Sequence, residues 1–199
     1  MACRGSDDGP SSEVTRVEPT GKVSGERKFT GRVINVDLDR VRFPDGKIGE
    51  LEMVRHPGAS AVVPLLGDAA GSDPQLVLIS QYRYAAESFV LEIPAGRLEP
   101  GESPELCAGR ELREETGCTA EHMERVFTMY TTPGFTDERI HVFLATGLTR
   151  GAHAREGDEF IELVTVTISQ ALAMIERNEI VDAKTALAIL YVAGFRLGK

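Results

Sequence analysis

Gly96-Arg97-Leu98-Glu99-Pro100-Gly101-Glu102-Ser103-Pro104-Glu105-Leu106-Cys107-Ala108-Gly109-Arg110-Glu111-Leu112-Arg113-Glu114-Glu115-Thr116-Gly117-Cys118 reads as a tight loop feeding one short helix. Ser103 offers a side-chain acceptor to the free amides of a first turn. Pro104 has no N–H to waste there, and Glu105 meets the positive end of the dipole. Gly117 suits the left-handed residue that stops a helix. The spacing therefore predicts a helix over Pro104–Thr116. At 3.6 residues per turn, Glu111 and Glu115 stand one turn apart on one face with Glu114 beside them. They crowd into the last turn, where the negative end of the dipole adds to their mutual repulsion. A fold keeps such a face by leaving it in water or by giving it a hard cation such as Mg²⁺ or Mn²⁺, which prefer oxygen ligands. Arg110 and Glu102 carry opposite charges at the two ends of the stretch and can tie loop to helix. Leu112, Leu106, Cys107 and Ala108 offer the apolar groups that pack the helix on a core.

Working outward, 199 residues of which 42% are hydrophobic suffice for one sizeable core and at most a small appendage. The net charge of -9 comes without a Lys/Arg cluster, which argues against nucleic acid or an anionic membrane as main partner. A polyanionic substrate would then need a bound cation and a few placed arginines. Cys3, Cys107 and Cys118 are an odd count without C-x-x-C spacing, so neither a disulfide framework nor a zinc site is indicated. No apolar leader region and no long apolar run is present, and a cytoplasmic protein is the simplest expectation.

Residues 1–26 are rich in Ser, Gly, Asp, Glu and Pro and read as a mobile tail. From 27 to 57 the chain alternates: Phe29, Val33, Ile34, Val36, Leu38, Val41 and Phe43 precede Pro44-Asp45-Gly46, and Ile48, Leu51, Met53 and Val54 follow it. This is a strand meander, either a small sheet of its own or the first strands of one continuous sheet. Residues 58–199 carry the remainder. Ala61–Leu66 and Gln75–Gln81 are near-continuous apolar runs suited to central strands. Phe89–Ala95 leads into the opening stretch; further strands are expected over Val126–Tyr130, Ile140–Ala145 and Phe160–Thr167, with an exposed mobile loop over Leu148–Glu159. Helices are expected over Ser169–Arg177 and Ala183–Phe195. His141 lies between apolar neighbours and reads as a core or interface residue. No Ser or Cys stands in an elbow or beside a suitable His, so covalent catalysis has no support.

The full spacing says more than the glutamates alone. Gly96, five residues, Glu102, seven residues, then Arg110-Glu111-Leu112-x-Glu114-Glu115-x-Gly117 resembles the Nudix box of the Nudix hydrolases. Cys118 departs from the aliphatic residue usual at the next position, a small change because a buried thiol packs as a small hydrophobe. The resemblance implies an α/β (α+β) fold, a mixed β-sheet sandwiched between helices, here with an N-terminal antiparallel meander. Thr132-Pro133-Gly134-Phe135, Gln81-Tyr82-Arg83 and Glu92-Ile93-Pro94-Ala95-Gly96 are similar to the ADP-ribose pyrophosphatases, a likeness running from about Thr30 to Phe195.

That resemblance implies Mg²⁺-dependent hydrolysis of ADP-ribose to AMP and ribose 5-phosphate, with Mn²⁺ as an alternative ion. It implies a metal held by Glu111, Glu115 and the carbonyl of Ala95, with Glu114 supporting or binding a second ion. Arg83 would contact the diphosphate, and Glu92, Leu98, Pro133 and Phe135 would belong to the substrate pocket. Glu159 would supply the general base or a further metal ligand, alongside Glu114 and Glu115 as catalytic groups. The meander would be exchanged between two subunits of a homodimer. GDP-mannose or ADP-glucose are alternative substrates, because the box grips only the diphosphate. A sensor that binds without cleaving would show a damaged box or an added basic DNA-binding domain, and the sequence has neither.

Overall fold

The computed structural model describes residues 21–151 and 161–198. Its first strand, β1 (Gly21–Thr30), begins inside the expected tail: residues 21–26 hold a single apolar side chain, Val23, yet their backbone pairs antiparallel with β2 (Asn35–Arg42). Pairing with a neighbour satisfies the amides of a strand that has no apolar alternation to announce it. β2 pairs in turn with β3 (Ile48–Arg55) around the tight turn at Gly46, whose φ of +82° is costless for glycine. The open question about the meander is thereby resolved: it is a separate three-stranded sheet. A bridge from Val54 to Thr136 joins it to the rest.

The second sheet has seven strands among the described residues. Its spine runs β10 (Ile161–Thr167), β5 (Gln75–Arg83), β4 (Ala59–Leu66), β9 (Arg139–Arg150), β8 (Cys118–Tyr130). β6 (Ser88–Glu92) pairs with β5, and β7 (Ala95–Arg97) pairs with β4, so the run from Phe89 to Ala95 is divided between two partners. The pair β4–β9 is parallel and the other pairs are antiparallel, which makes the sheet mixed. β8 starts eight residues before the expected Val126, and β9 extends to Arg150, five beyond Ala145. Their extra length is held by hairpin pairing and by Cys118, Ala120, Met123 and Leu148, which pack on the α1 side of the sheet among outward-facing polar residues.

Side-chain alternation divides the core into two. On β4, Ala61, Val63 and Leu65 point to one face, where α2 (Ile168–Glu176) and α3 (Ala183–Phe195) bring Ile168, Ala171, Ile189 and Val192. Val62 points the other way and joins Phe143 and Ala145 of β9 against Ala108 and Leu112 of α1 (Pro104–Thr116). A period of two on strands buried on both faces thus produces helix, sheet, helix layers. α1 lies over the predicted residues. The Ser103 hydroxyl accepts from Leu106 N at its start, and Gly117 ends it with φ +70°. Cys107 and Cys118 are free and buried, and Cys118 packs in the α1 core as a small hydrophobe.

Candidate active site

β7 is the meeting point. It lies antiparallel to β4, and α1 packs across it. Glu115, 3% exposed, turns under the strand and accepts a hydrogen bond from Ala95 N at 2.9 Å. Glu111 lies against the next residue, Gly96, so closely that a Cβ there would overlap its carboxylate. The two glutamates that the helix spacing places on one face are therefore brought to successive residues of one strand.

Arg110 organises the carboxylates beside them. Its guanidinium donates to both oxygens of Glu102 at 2.9 and 3.0 Å, to Glu111 at 2.6 Å, to Glu114 at 3.1 Å and to the carbonyl of Arg97 at 3.1 Å. One positive charge thus meets three carboxylates and one backbone oxygen. The Arg110 bonds hold the Glu102 carboxyl down at about 2, so it stays ionised. Cys107 sits behind this array with Sγ 3.5 Å from the carbonyls of Gly96 and Arg97. Burial, with Glu102 and Glu111 nearby, pushes its thiol up to about 11, so it is an inert proton-bearing group.

An open cleft runs alongside. One hollow is lined by Arg83, Ala95, Gly96, Arg97, His56, Glu138 and Lys184 among others. The adjoining hollow shares Arg83 and Arg97 and continues to Arg32, Glu99, Arg110, Glu111 and Glu114. Basic groups in a chain of net charge -9 are thus gathered where a polyanion would lie beside the acidic helix. The oxygen-only donor set of Glu111, Glu114, Glu115 and the Ala95 carbonyl suits a hard divalent ion, and the missing side chain at Gly96 leaves Glu111 its place. Among the described residues no three carboxylate, imidazole or thiolate groups form a ready-made metal cage. The convergence that the helix spacing suggests is instead divided between Arg110 and the β7 backbone.

The expected substrate residues part company. Arg83 lines both hollows, but its guanidinium is held by Glu92 at 2.6 and 2.8 Å. Glu92 is nearly sealed from solvent and lines an outer hollow with Val181 and Lys184. Leu98 is outside the lining of the cleft and packs at Gly58, to whose carbonyl its amide donates at 3.1 Å. Pro133 is exposed and also outside that lining, whereas Phe135 forms a neighbouring hollow with Val33, Ile34, Val54 and His56. Glu159 lies outside the described residues. His141 is half-buried, its Nδ1 2.9 Å from Thr128 Oγ1 across the β8–β9 pair. Burial, then Arg125 and Arg139, lowers its pKa.

Sequence reading missed His56, Glu138 and Lys184. His56 Nδ1 lies 3.3 Å from Glu138, which also accepts from Thr131 Oγ1 at 2.8 Å. These residues reach the cleft from separate parts of the chain, so no local spacing reveals the pair. Lys184 had a usable signal: Asp182 is the N-cap of α3, and a residue just after it sits in the first turn facing whatever the helix start faces.

Comparison with known proteins agrees with this geometry. Over 172 residues the chain is 44% identical to an ADP-ribose pyrophosphatase of Bacillus subtilis, a match spanning 85% of this chain and 90% of that one. A GDP-mannose pyrophosphatase of Cronobacter sakazakii is 35% identical over 187 residues, 86% of this chain and 91% of its own. The crystal structure of an ADP compounds hydrolase shares the fold, with a TM-score of 0.75 at 24% identity over 90% of this chain and 95% of that one. Residues 55–187 match the family described as NUDIX domain, which takes in β4, β7 and α1 with all three glutamates, and by that match and its relatives the chain belongs to the Nudix family of hydrolases.

Proposed function

We propose that this protein hydrolyses the diphosphate bond of ADP-ribose, releasing AMP and ribose 5-phosphate, with Mg²⁺ or Mn²⁺ as the working ion. The observation that carries the reading is the seating of Glu111 and Glu115 on successive residues of β7 at the edge of a cleft rich in arginine. Glu111, Glu115 and the Ala95 carbonyl would hold the ion, with Glu114 in support. A bound divalent ion supplies charge neutralisation at the non-bridging phosphate oxygens and lowers the pKa of a coordinated water. The chain's own residues do the rest. Arg83 and Arg97 face the space for the diphosphate, where a planar guanidinium gives two-point contact. Arg110 holds Glu102, Glu111 and Glu114 in place, so no reorganisation is needed as charge moves. Glu159 is assigned the general-base role, or that of a further ligand, on family likeness alone.

A panel of ADP-ribose, ADP-glucose and GDP-mannose with Mg²⁺, with products identified, tests the reading. AMP with ribose 5-phosphate from ADP-ribose is the expected result, and no turnover of any member defeats it. The second reading, a preference for GDP-mannose, is favoured by the GDP-mannose pyrophosphatases among the relatives, and GMP release would establish it.

The same proposal makes the protein a homodimer built through residues 27–57. Val23, Phe29, Val33, Phe43 and Ile48 leave the N-terminal sheet with exposed apolar groups that a second copy would cover. A monomeric mass in solution with full activity would remove this part. Free buried thiols at Cys107 and Cys118 fit a reducing compartment, and we place the protein in the cytoplasm. Among the described residues no helix is long and apolar enough to cross a membrane.

A further inference from the structure

Two cations share one buried carboxylate at the rim of the cleft. Glu92 is 3% exposed, Arg83 grips it through both of its oxygens, and Lys184 Nζ pairs with the second of them. The two partners differ in their freedom. The Lys184 side chain is 13% exposed and is also held by Asp182 at 2.9 Å. Asp182 in turn accepts from Thr185 N at 3.0 Å and Thr185 Oγ1 at 2.6 Å, and Ile93 N donates to that same hydroxyl at 2.9 Å. The first turn of α3 is thereby bolted to the residue after Glu92. Arg83, by contrast, is 43% exposed and lines both hollows of the cleft.

One buried carboxylate stripped of every counter-charge is strongly unfavourable. With Arg83 as sole partner, Glu92 would hold the guanidinium and compete with any incoming phosphate. With Lys184 permanently beside it, the carboxylate stays compensated when the arginine departs. Burial raises Glu92, and Arg83 and Lys184 outweigh it, so the group is an anion throughout. The other charged groups nearby, Asp182 and Glu115, are acidic and cannot replace Lys184 in this task.

We propose that Lys184 is a positioning residue which keeps Glu92 neutralised so that Arg83 is free to move onto the phosphates of a bound nucleoside diphosphate. This rests on the hydrolase reading above and adds a releasable arginine to it. Steady-state kinetics on ADP-ribose with Mg²⁺ test it, in wild type, Lys184→Met, Lys184→Arg and the double variant Lys184→Met/Glu92→Gln. Lys184→Met traps Arg83 and raises KM about tenfold, with kcat within about threefold, because a lost uniform binding contact moves KM alone. Lys184→Arg stays near wild type. Removing the charge of Glu92 in the double variant releases Arg83 and brings KM down to that of Glu92→Gln alone, measured beside it. A merely structural lysine would give the opposite of that rescue, since the second substitution would add damage. An unchanged KM in Lys184→Met, or no recovery in the double variant, overturns the proposal. If Lys184→Met does not fold by circular dichroism, Lys184→Gln replaces it with the same expectations. Inactive wild type would sink the hydrolase reading itself, which is a separate outcome.

Discussion

Two clusters in this molecule are built alike, an arginine among three carboxylates, and they do different work. In the N-terminal sheet Arg55 meets Asp37, Asp39 and Asp137. There Arg27 also pairs with Asp37 and Lys22 with Asp39, so three cations face three anions. At α1 Arg110 meets Glu102, Glu111 and Glu114. The balanced cluster ties strands together: Arg55 runs from β2 to the loop before β9, and His56 N donates to the same Asp137 at 2.9 Å. The acid-rich cluster holds its carboxylates apart and oriented beside a cleft, a setting that suits a divalent ion. Where the network lies, between strands or beside an open cleft, distinguishes the two clusters more than the presence of an ion network does.

Substitutions can break or sharpen that contrast. The largest effect is expected at the acid-rich end: Glu115→Gln keeps the Ala95 hydrogen bond in shape but removes charge, and kcat should fall by at least ~10² with the fold intact by circular dichroism. Wild-type turnover would place Glu115 with the braces. Arg55→Met should do the reverse. It leaves the buried Asp37 and Asp39 each short of one partner, a loss of about 2 kcal/mol, and the melting temperature should drop by about 4–8 °C while kcat stays within about threefold. A loss of turnover without a loss of stability would erase the distinction.

Gly96→Ala offers a finer test. Its Cβ would displace only the flexible end of Glu111, so about tenfold lower kcat is expected with an almost unchanged melting temperature. Equal losses in both would mean that the strand itself had moved. The smallest effect is in acid. Glu102 is depressed from 4.5 to about 2 in the folded protein, chiefly by Arg110, so its contribution is complete above the ordinary carboxyl value and is lost as pH falls through about 2. Between those values wild type should lose more thermal stability than Glu102→Gln, as thermal melts at successive pH values would read.

How far the sequence announced all this depended on the range of the forces involved. α1 and α3 lie over the predicted residues, because caps such as Ser103, Gly117 and Asp182 act within one turn. The pairing of Glu111 and Glu115 was legible for the same reason, being a matter of helical pitch. β1 before Arg27 and β8 before Val126 were not, because polar residues such as Ser24, Glu26, Glu121 and Glu124 become strand only through a partner elsewhere in the chain. Likeness to a motif puts Leu98 and Pro133 in the pocket, and neither is among the residues lining the two hollows of the cleft. Lys184 was overlooked because its partner, Glu92, stands 92 positions earlier.

The parallel pairing of β4 with β9 has a kinetic consequence. It joins Ala59–Pro64 to Ile140–Ala145, so the floor of the cleft closes only after the whole intervening chain has been gathered in. Short-range hairpins such as β8–β9 form across few residues and carry little loop-closure cost, whereas this crossover carries a large one. During refolding, circular dichroism should therefore recover ahead of turnover, and regained catalysis marks the final event in assembly.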